Sequence, residues 1–184
     1  MNEFAHPAPY PMSTERLSLT DLLTADFVST YAMDTNEQVM KYIGGAEKRT
    51  FDDYYAFITQ RLSLWIGERF HMWAMRLHGG DEFLGWVMIK PIRDTPHVEV
   101  GYRMLPSSWG KGYATEATRA VLDYGFKVAG FEELTAVTHP DNAASQHVLT
   151  KCGLLRDGTL NYNGGGEIPF FRLTKQDYEK LKWQ

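Results

Sequence analysis

Apolar and polar positions change period several times along this chain, and each change predicts an element. Arg16-Leu17-Ser18-Leu19-Thr20 alternates with period two, the pattern of a short strand. Helical spacing follows from Ala25 to Met33 and again from about Phe51 to Glu68, with Gly44-Gly45 between the two. In the second stretch Tyr54, Phe57, Ile58, Leu62, Trp65 and Ile66 fall on one face. Met72–Leu77 and Phe83–Ile89 are β-rich runs around the turn His78-Gly79-Gly80-Asp81-Glu82, which predicts a hairpin. Pro91 to Pro96 reads as a loop, and Val98 to Met104 as a further strand. Tyr113 to Ala129 carries Ala114, Ala117, Val121, Tyr124 and Val128 at helical spacing, with Gly130 where a C-cap belongs. Leu134–Thr138 is a strand, Asn142–Cys152 a helix with Gly153 just beyond it. Leu154–Leu160 and Ile168–Leu173 form a last hairpin around Asn163-Gly164-Gly165-Gly166, and Thr174 with Asp177 opens a short terminal helix.

The order is thus strand, two helices, three strands, helix, strand, helix, two strands. Strand 98–104, helix 113–129 and strand 134–138 make a βαβ unit, which places one parallel pair inside an otherwise antiparallel sheet. The expected fold class is α/β, an α+β mixed sheet of about seven mostly antiparallel strands with helices on both faces. Pro7, Pro9 and Pro11 make residues 1–12 an extended arm, and 13–184 a single domain.

Composition adds exclusions. With 43% hydrophobic residues in 184, the chain holds one sizeable core. Net charge is −4 with Lys and Arg scattered, so no basic face is offered to nucleic acid, while a cationic amine is tolerated. Cys152 is the sole cysteine, which rules out an intrachain disulfide and a cysteine metal cluster. No two histidines have metal-ligand spacing, so no metal is expected. The N-terminus lacks a signal pattern and no apolar run reaches membrane-spanning length, so the expectation is a soluble, cytoplasmic protein with no membrane partner. Oligomeric state stays open, a homodimer included.

The chemistry concentrates between Val98 and Ala117, where a strand runs into a Gly-rich turn that opens a helix. First-turn N–H groups and the helix dipole favour an anion there. Gly110 and Gly112 let backbone approach it, and Lys111 adds a positive charge. A P-loop needs Ser or Thr after its Lys, and here Gly112 follows Lys111; a dinucleotide fingerprint would need Gly where Thr115 stands. A connecting turn that binds nothing is the plain alternative. Asn142 stands where a helix N-cap belongs, with Ser145 in the first turn after it.

Met104-x-Pro106-x-x-Trp109-Gly110-Lys111-Gly112-Tyr113-Ala114 resembles the acetyl-CoA-binding motif of the GNAT acetyltransferases. Trp109 in place of the usual Arg or Gln, with Thr115-Glu116-Ala117 after it, resembles the RimJ/RimL branch of ribosomal-protein N-terminal acetyltransferases. Thr14-Glu15-Arg16-Leu17-x-Leu19 and Val39-Met40-Lys41-Tyr42-Ile43 are similar to that branch's opening segments, and His139 through Ser145 to its Asn-containing helix start. The resemblance spans about residues 14–174. It implies acetyl-CoA as co-substrate, with its pyrophosphate on Trp109 through Thr115, including Tyr113 and Ala114, and its pantetheine along the backbone of Tyr102 and Met104 and near Asn142. It implies direct attack by a primary amine in a ternary complex, without a covalent enzyme intermediate. Leu149 occupies the position of the family's usual Tyr acid, and Ser145 is the implied substitute, beside the departing sulfur. Glu99 is the expected base, and acceptor contacts are expected from Phe51–Trp65 and Leu160–Phe170. Branch acceptors include protein or peptide N-terminal α-amines, polyamines, aminoglycosides and amino-acid-like amines. Two other classes compete: an acyl-CoA-binding module without turnover, and a phosphate-binding domain for a nucleotide other than CoA.

Overall fold

A computed structural model describes residues 11–63 and 69–181, apart from the Arg61 side chain. The strands are β1 (Met12–Ser13), β2 (Leu17–Asp21), β3 (His71–Leu77), β4 (Gly85–Pro91), β5 (Val98–Met104), β6 (Glu133–Val137), β7 (Leu155–Asn161) and β8 (Glu167–Thr174). The helices are α1 (Asp26–Asp34), α2 (Glu37–Met40), α3 (Phe51–Ser63), α4 (Tyr113–Lys127), α5 (Ala143–Lys151) and α6 (Lys175–Tyr178). All strands join one eight-stranded sheet in the order β1-β2-β3-β4-β5-β6-β8-β7. Every pairing is antiparallel except β5 with β6.

Side-chain alternation along the central strands divides the core into two layers. On one face Leu17, Leu19, Trp73, Met75, Val87, Ile89, Val100 and Met104 pack with Ala117, Val121, Leu122 and Tyr124 of α4. Trp73 is wholly buried there and meets the Tyr124 ring edge-on at 5.2 Å. On the other face Met72, Ala74, Trp86 and Met88 pack with Phe27, Met33, Val39, Met40 and Leu62 from α1, α2 and α3. Both faces of β3 and β4 are therefore covered, which is why these strands read as apolar runs and not as strict alternation.

The feature that makes room for a site lies between β5 and β6. Their ladder has one register pair, Glu99 with Thr135, and the Thr135 hydroxyl donates to the Val98 carbonyl at 2.9 Å. Beyond that pair each strand follows its other neighbour. β5 stays on β4 as far as Met104 opposite Gly85, while β6 runs along β8 to Val137 opposite Phe170.

Three expectations shift. Met12 belongs to a strand, β1, which pairs with β2, and so lies outside any free arm; residues 1–10 of that arm fall outside the described residues. The eighth strand is this two-residue piece, too short to show a period. Likewise α2 has four residues and is set by its N-cap, where the Asn36 side chain accepts from Gln38 N–H and Val39 N–H. Trp65 and Ile66, expected in α3, lie outside the described residues.

Candidate active site

The divergence of β5 from β6 opens a cleft of about 1070 Å3. Its walls come from Gln38 and Val39 of α2 and Lys41, Tyr42 and Ile43 after it, from 99–104 on β5, from the turn before α4, from the start of α5, and from the tip of the β7–β8 hairpin.

At one end is the turn. Gly110 and Gly112 have φ of 72° and 82°, left-handed values that a side chain would strain. Gly112 is the N-cap of α4 and supplies no side-chain cap, so the first-turn amides of Tyr113, Ala114 and Thr115 are left for a ligand. Among the sequence-expected residues, Trp109, Gly110, Gly112, Tyr113, Ala114 and Thr115 line the cleft. Lys111 does not: its side chain is exposed, and its carbonyl accepts from Arg16 Nη1 at 2.9 Å. Arg16 braces the turn further, since its Nε donates to Glu116 Oε2 at 2.7 Å and its guanidinium lies 4.8 Å from the Tyr113 ring centre. Thr14 Oγ1 and Arg16 N–H both donate to Glu116 Oε1, at 2.5 and 2.7 Å. The charge therefore beside the turn is Arg16 as much as Lys111. This pair is half-exposed and contributes little to stability; its role is to hold the turn's shape. These groups fit a pyrophosphate: free amides, helix dipole, nearby cation and no Cβ in the way.

Next comes the open strand edge. Leu105 N–H donates to the Leu84 carbonyl at 3.0 Å, toward β4, so alternation turns the N–H and C=O groups of Tyr102 and Met104 to the open side. An extended pantetheine can add to such an edge as a strand does. The Trp109 indole Nε1 donates to the Met104 carbonyl at 3.0 Å, so Trp109 takes one acceptor position on that edge.

On the α5 side Asn142 caps the helix as the sequence implied, accepting from Ser145 N–H at 3.1 Å. The Tyr102 hydroxyl donates to Ser145 Oγ at 3.3 Å. Cys152 is wholly buried behind this wall, and burial pushes its thiol up to about 12, which makes it a packing residue and not a nucleophile.

Glu99 stands on the opposite face of the sheet and is 4% exposed. Register places Lys90 opposite it, and Lys90 Nζ pairs with Glu99 Oε1 at 3.0 Å. Tyr162, at the hairpin tip, donates its hydroxyl to the same oxygen at 3.1 Å. Oε2 has no hydrogen-bond partner, although the residue lines the cleft. Burial raises the Glu99 carboxyl above the usual carboxylate range, and the Lys90 charge and the two hydrogen bonds pull it back. Replacing Lys90 with Met removes that restraint. The expected result is an acidic limb of the kcat/KM–pH profile displaced to higher pH; an unmoved limb would mean that another group sets it.

The rest of the cleft lining differs from the segments expected to meet an acceptor. No described residue of α3 lines the cleft; Gln38, Val39, Lys41, Tyr42 and Ile43 do instead. From the last hairpin Tyr162, Gly165, Gly166 and Ile168 take part. Tyr42 meets the His139 ring at 5.2 Å, linking the α2 segment to the loop before α5. Arg103 is paired with Asp34, and its guanidinium lies 5.0 Å from the Trp86 ring centre. Asp34 also accepts from the Tyr54 hydroxyl at 3.0 Å, so its carboxylate is committed. His71 is held by Asp21 at 2.9 Å and His97 by Glu133 at 3.0 Å, neither in the cleft lining, whereas His139 and His147 line it. Among the described residues no cluster of His, Cys, Asp and Glu is arranged to hold a metal ion, and no helix is long and apolar enough to cross a membrane.

Comparison with known proteins agrees with this geometry. Residues 16–155 match the family model of the acetyltransferase (GNAT) domain. An uncharacterized N-acetyltransferase of Bacillus subtilis, YoaA, is 27% identical over 150 residues, covering 81% of this chain and 85% of that one. A GNAT-family acetyltransferase from Bacillus anthracis superposes with a TM-score of 0.75 at 23% identity, over 91% of this chain and 99% of that one. A spermidine N-acetyltransferase from Vibrio cholerae, solved with CoA and spermine, superposes with a TM-score of 0.73 at 18% identity, over 89% and 98%. A buried carboxylate, a Gly-rich turn with free helix amides and an open strand edge thus meet in one cleft on a fold shared with these enzymes, and the chain belongs to the GNAT family as an acyl-CoA-dependent N-acetyltransferase.

Proposed function

We propose that this enzyme acetylates the α-amine of a peptide or protein N-terminus from acetyl-CoA, by direct attack in a ternary complex, as a member of the RimJ/RimL-like branch. The observation that carries the reading is the Glu99 carboxylate on the cleft lining: held at Oε1 by Lys90 and Tyr162, with Oε2 buried and without a hydrogen-bond partner. The amine loses a proton to Oε2, directly or through a water, and its nitrogen bonds to the thioester carbonyl carbon. A backbone N–H on the open edge of Tyr102 and Met104 steadies the oxyanion. The C–S bond then breaks as the nitrogen gives its second proton to solvent, and the thiolate departs beside Ser145.

The sheet separates these two jobs. Glu99 lies on the face covered by α1 and α2, whereas Ser145 and Tyr102 lie on the face of α4 and α5. Amine and thiol can therefore approach and leave on opposite sides of the splay.

Charge in the cleft bears on the acceptor. Glu99 is the one carboxylate among the described lining residues, beside Lys41, Arg103 and Lys151. Its charge already faces Lys90. A polyamine or aminoglycoside carries several ammonium groups and would find few partners here, although the spermidine N-acetyltransferase from Vibrio cholerae shares the fold. A peptide N-terminus brings one ammonium followed by an uncharged backbone, which suits a wall of Trp86, Met88, Tyr42 and Ile168.

The test is CoA release at neutral pH with a panel of N-terminal peptides, spermidine and an aminoglycoside. Peptides are expected to give the highest kcat/KM. Spermidine exceeding every peptide would overturn the α-amine reading, and no CoA above background with any amine would return the protein to a binding role.

A further inference from the structure

The proposed role of Ser145 leaves a question of hydrogen direction. A lone hydroxyl in a helix's first turn has several places to send its hydrogen, and helical Ser commonly donates to a backbone carbonyl one turn back. For Ser145 to steady a leaving thiolate, that hydrogen must face the cleft.

Three observations bear on this. The Ser145 N–H is taken by the Asn142 side chain at 3.1 Å. The Tyr102 hydroxyl lies 3.3 Å from Ser145 Oγ, reaching it from β5, and both residues line the cleft. Leu149, which stands where the family's usual acid would be, is 2% exposed in the apolar core and offers no hydroxyl.

We propose that Tyr102 is a positioning residue for acetyl transfer: its side-chain hydroxyl donates to Ser145 Oγ and so turns the Ser145 hydrogen toward the sulfur of the thioester. This inference rests on the reading of Ser145 above. It gives Tyr102 two jobs from two parts of one residue, the backbone as cofactor edge and the phenol as partner of Ser145. A hydroxyl that accepts one hydrogen bond also donates a better one, so the pair polarises together.

Tyr102 keeps its proton throughout. Burial pushes its phenol up to about 12, far above the ~8.5 of an ordinary thiol, so a departing thiolate does not take the proton from it. The thiolate leaves stabilised by the Ser145 O–H and is protonated, as its own affinity dictates, by solvent when CoA is released. No tyrosinate forms.

The experiment is a double-mutant cycle on kcat for CoA release with one peptide acceptor, under conditions where chemistry is rate-limiting. Ser145→Ala is expected to lower kcat by about tenfold to a hundredfold, with acetyl-CoA affinity changed by less than about threefold. Tyr102→Phe keeps the ring and is expected to lower kcat by about threefold to tenfold, again without loss of acetyl-CoA affinity. The double variant is expected to be no slower than Ser145→Ala alone, because Tyr102 acts only through Ser145.

Multiplicative losses in the double variant, or a wild-type kcat in Tyr102→Phe while Ser145→Ala is slow, would overturn the role of Tyr102 and leave Ser145 in place. A wild-type kcat in Ser145→Ala would remove the Ser145 reading itself and this inference with it. Should Tyr102→Phe fail to fold, a fluorinated tyrosine at position 102 keeps the shape with a more acidic hydroxyl. Its alkaline loss of kcat is then expected at lower pH than in wild type, and an unmoved alkaline limb would overturn the proposal.

Discussion

Gly112→Asp is expected to leave the fold intact while abolishing the rise in melting temperature that acetyl-CoA gives the wild type. At a concentration one hundred times Kd, a ligand stabilises its protein by about 2.7 kcal/mol, which for a chain of this size is a shift of roughly 5–10 °C. The same concentration of ATP or NAD is expected to give none, since the cleft pairs an anion-binding turn with an open strand edge that suits a pantetheine arm. In the variant the new Cβ sits at the N-cap of α4, 3.3 Å from Arg16 Nη2, so the carboxylate finds a guanidinium and free helix amides at once. The left-handed φ of 82° strains an Asp there, though less than most side chains, and the new cap and the Arg16 contact offset part of that cost. The unliganded melting temperature is therefore expected to fall by only a few degrees, so that the loss of the acetyl-CoA shift stays readable. Each negative charge of a pyrophosphate ~5 Å away, however, meets about 3 kcal/mol of repulsion at an effective dielectric of ~20, more than a hundredfold in affinity. An acetyl-CoA shift of wild-type size in this variant would move the cofactor site elsewhere.

Glu99→Gln is the second large effect, and its dependence on pH says more than its size. At pH 7 the variant is expected to lose roughly a hundredfold or more in kcat/KM, the scale of a general base. Gln retains an oxygen for Lys90 and Tyr162 and puts an amide, which cannot take a proton, where Oε2 was. A free α-amine titrates near ~7.7–8.0, so above pH 8 most acceptor arrives neutral and needs no base. The defect should therefore shrink across pH 7 to 9. A lysine-like amine near ~10.4 would show the full defect over that whole range. A loss that is constant with pH for a peptide substrate would make Glu99 an acceptor-binding or structural group.

What the sequence made legible was whatever is decided within a few residues. β5 has the bounds its pattern predicted, and the Asn142 cap and the positive-φ glycines of the turn follow from local geometry alone. Glu99, expected at the site from the family resemblance, does line the cleft, but its state was not legible. That depends on Lys90, brought opposite by the β4–β5 register, and on Tyr162, delivered by a hairpin tip 63 residues away. The Arg16–Glu116 brace, the Tyr102–Ser145 contact and the Arg103–Asp34 pair join elements that no local pattern connects. Acceptor contacts were expected from α3, with its apolar stripe, and from the last hairpin because the family resemblance implies them. That stripe is spent on the core, with Tyr54 and Leu62 buried, and the weaker α2 segment, too short to carry a period, faces the cleft instead.

The single register pair between β5 and β6 has a consequence for folding energetics as well as for binding. A sheet unfolds as one unit only as far as its ladder is continuous, and here the ladder is interrupted near its middle. The ladders from β1 to β5 and those of β6, β8 and β7 meet in that one register pair, and side-chain packing around α4 and contacts such as Tyr162–Glu99 do the rest of the joining, so the strand ends beyond the pair are natural places for local opening. A pantetheine lying along Tyr102 and Met104 is then, in mechanical terms, the missing rung. Amide protons of β5 and β6 should exchange with solvent more slowly once acetyl-CoA is bound, whereas those of the β2–β3 ladder, already continuous, should change little. The substrate closes the sheet that makes its own binding site.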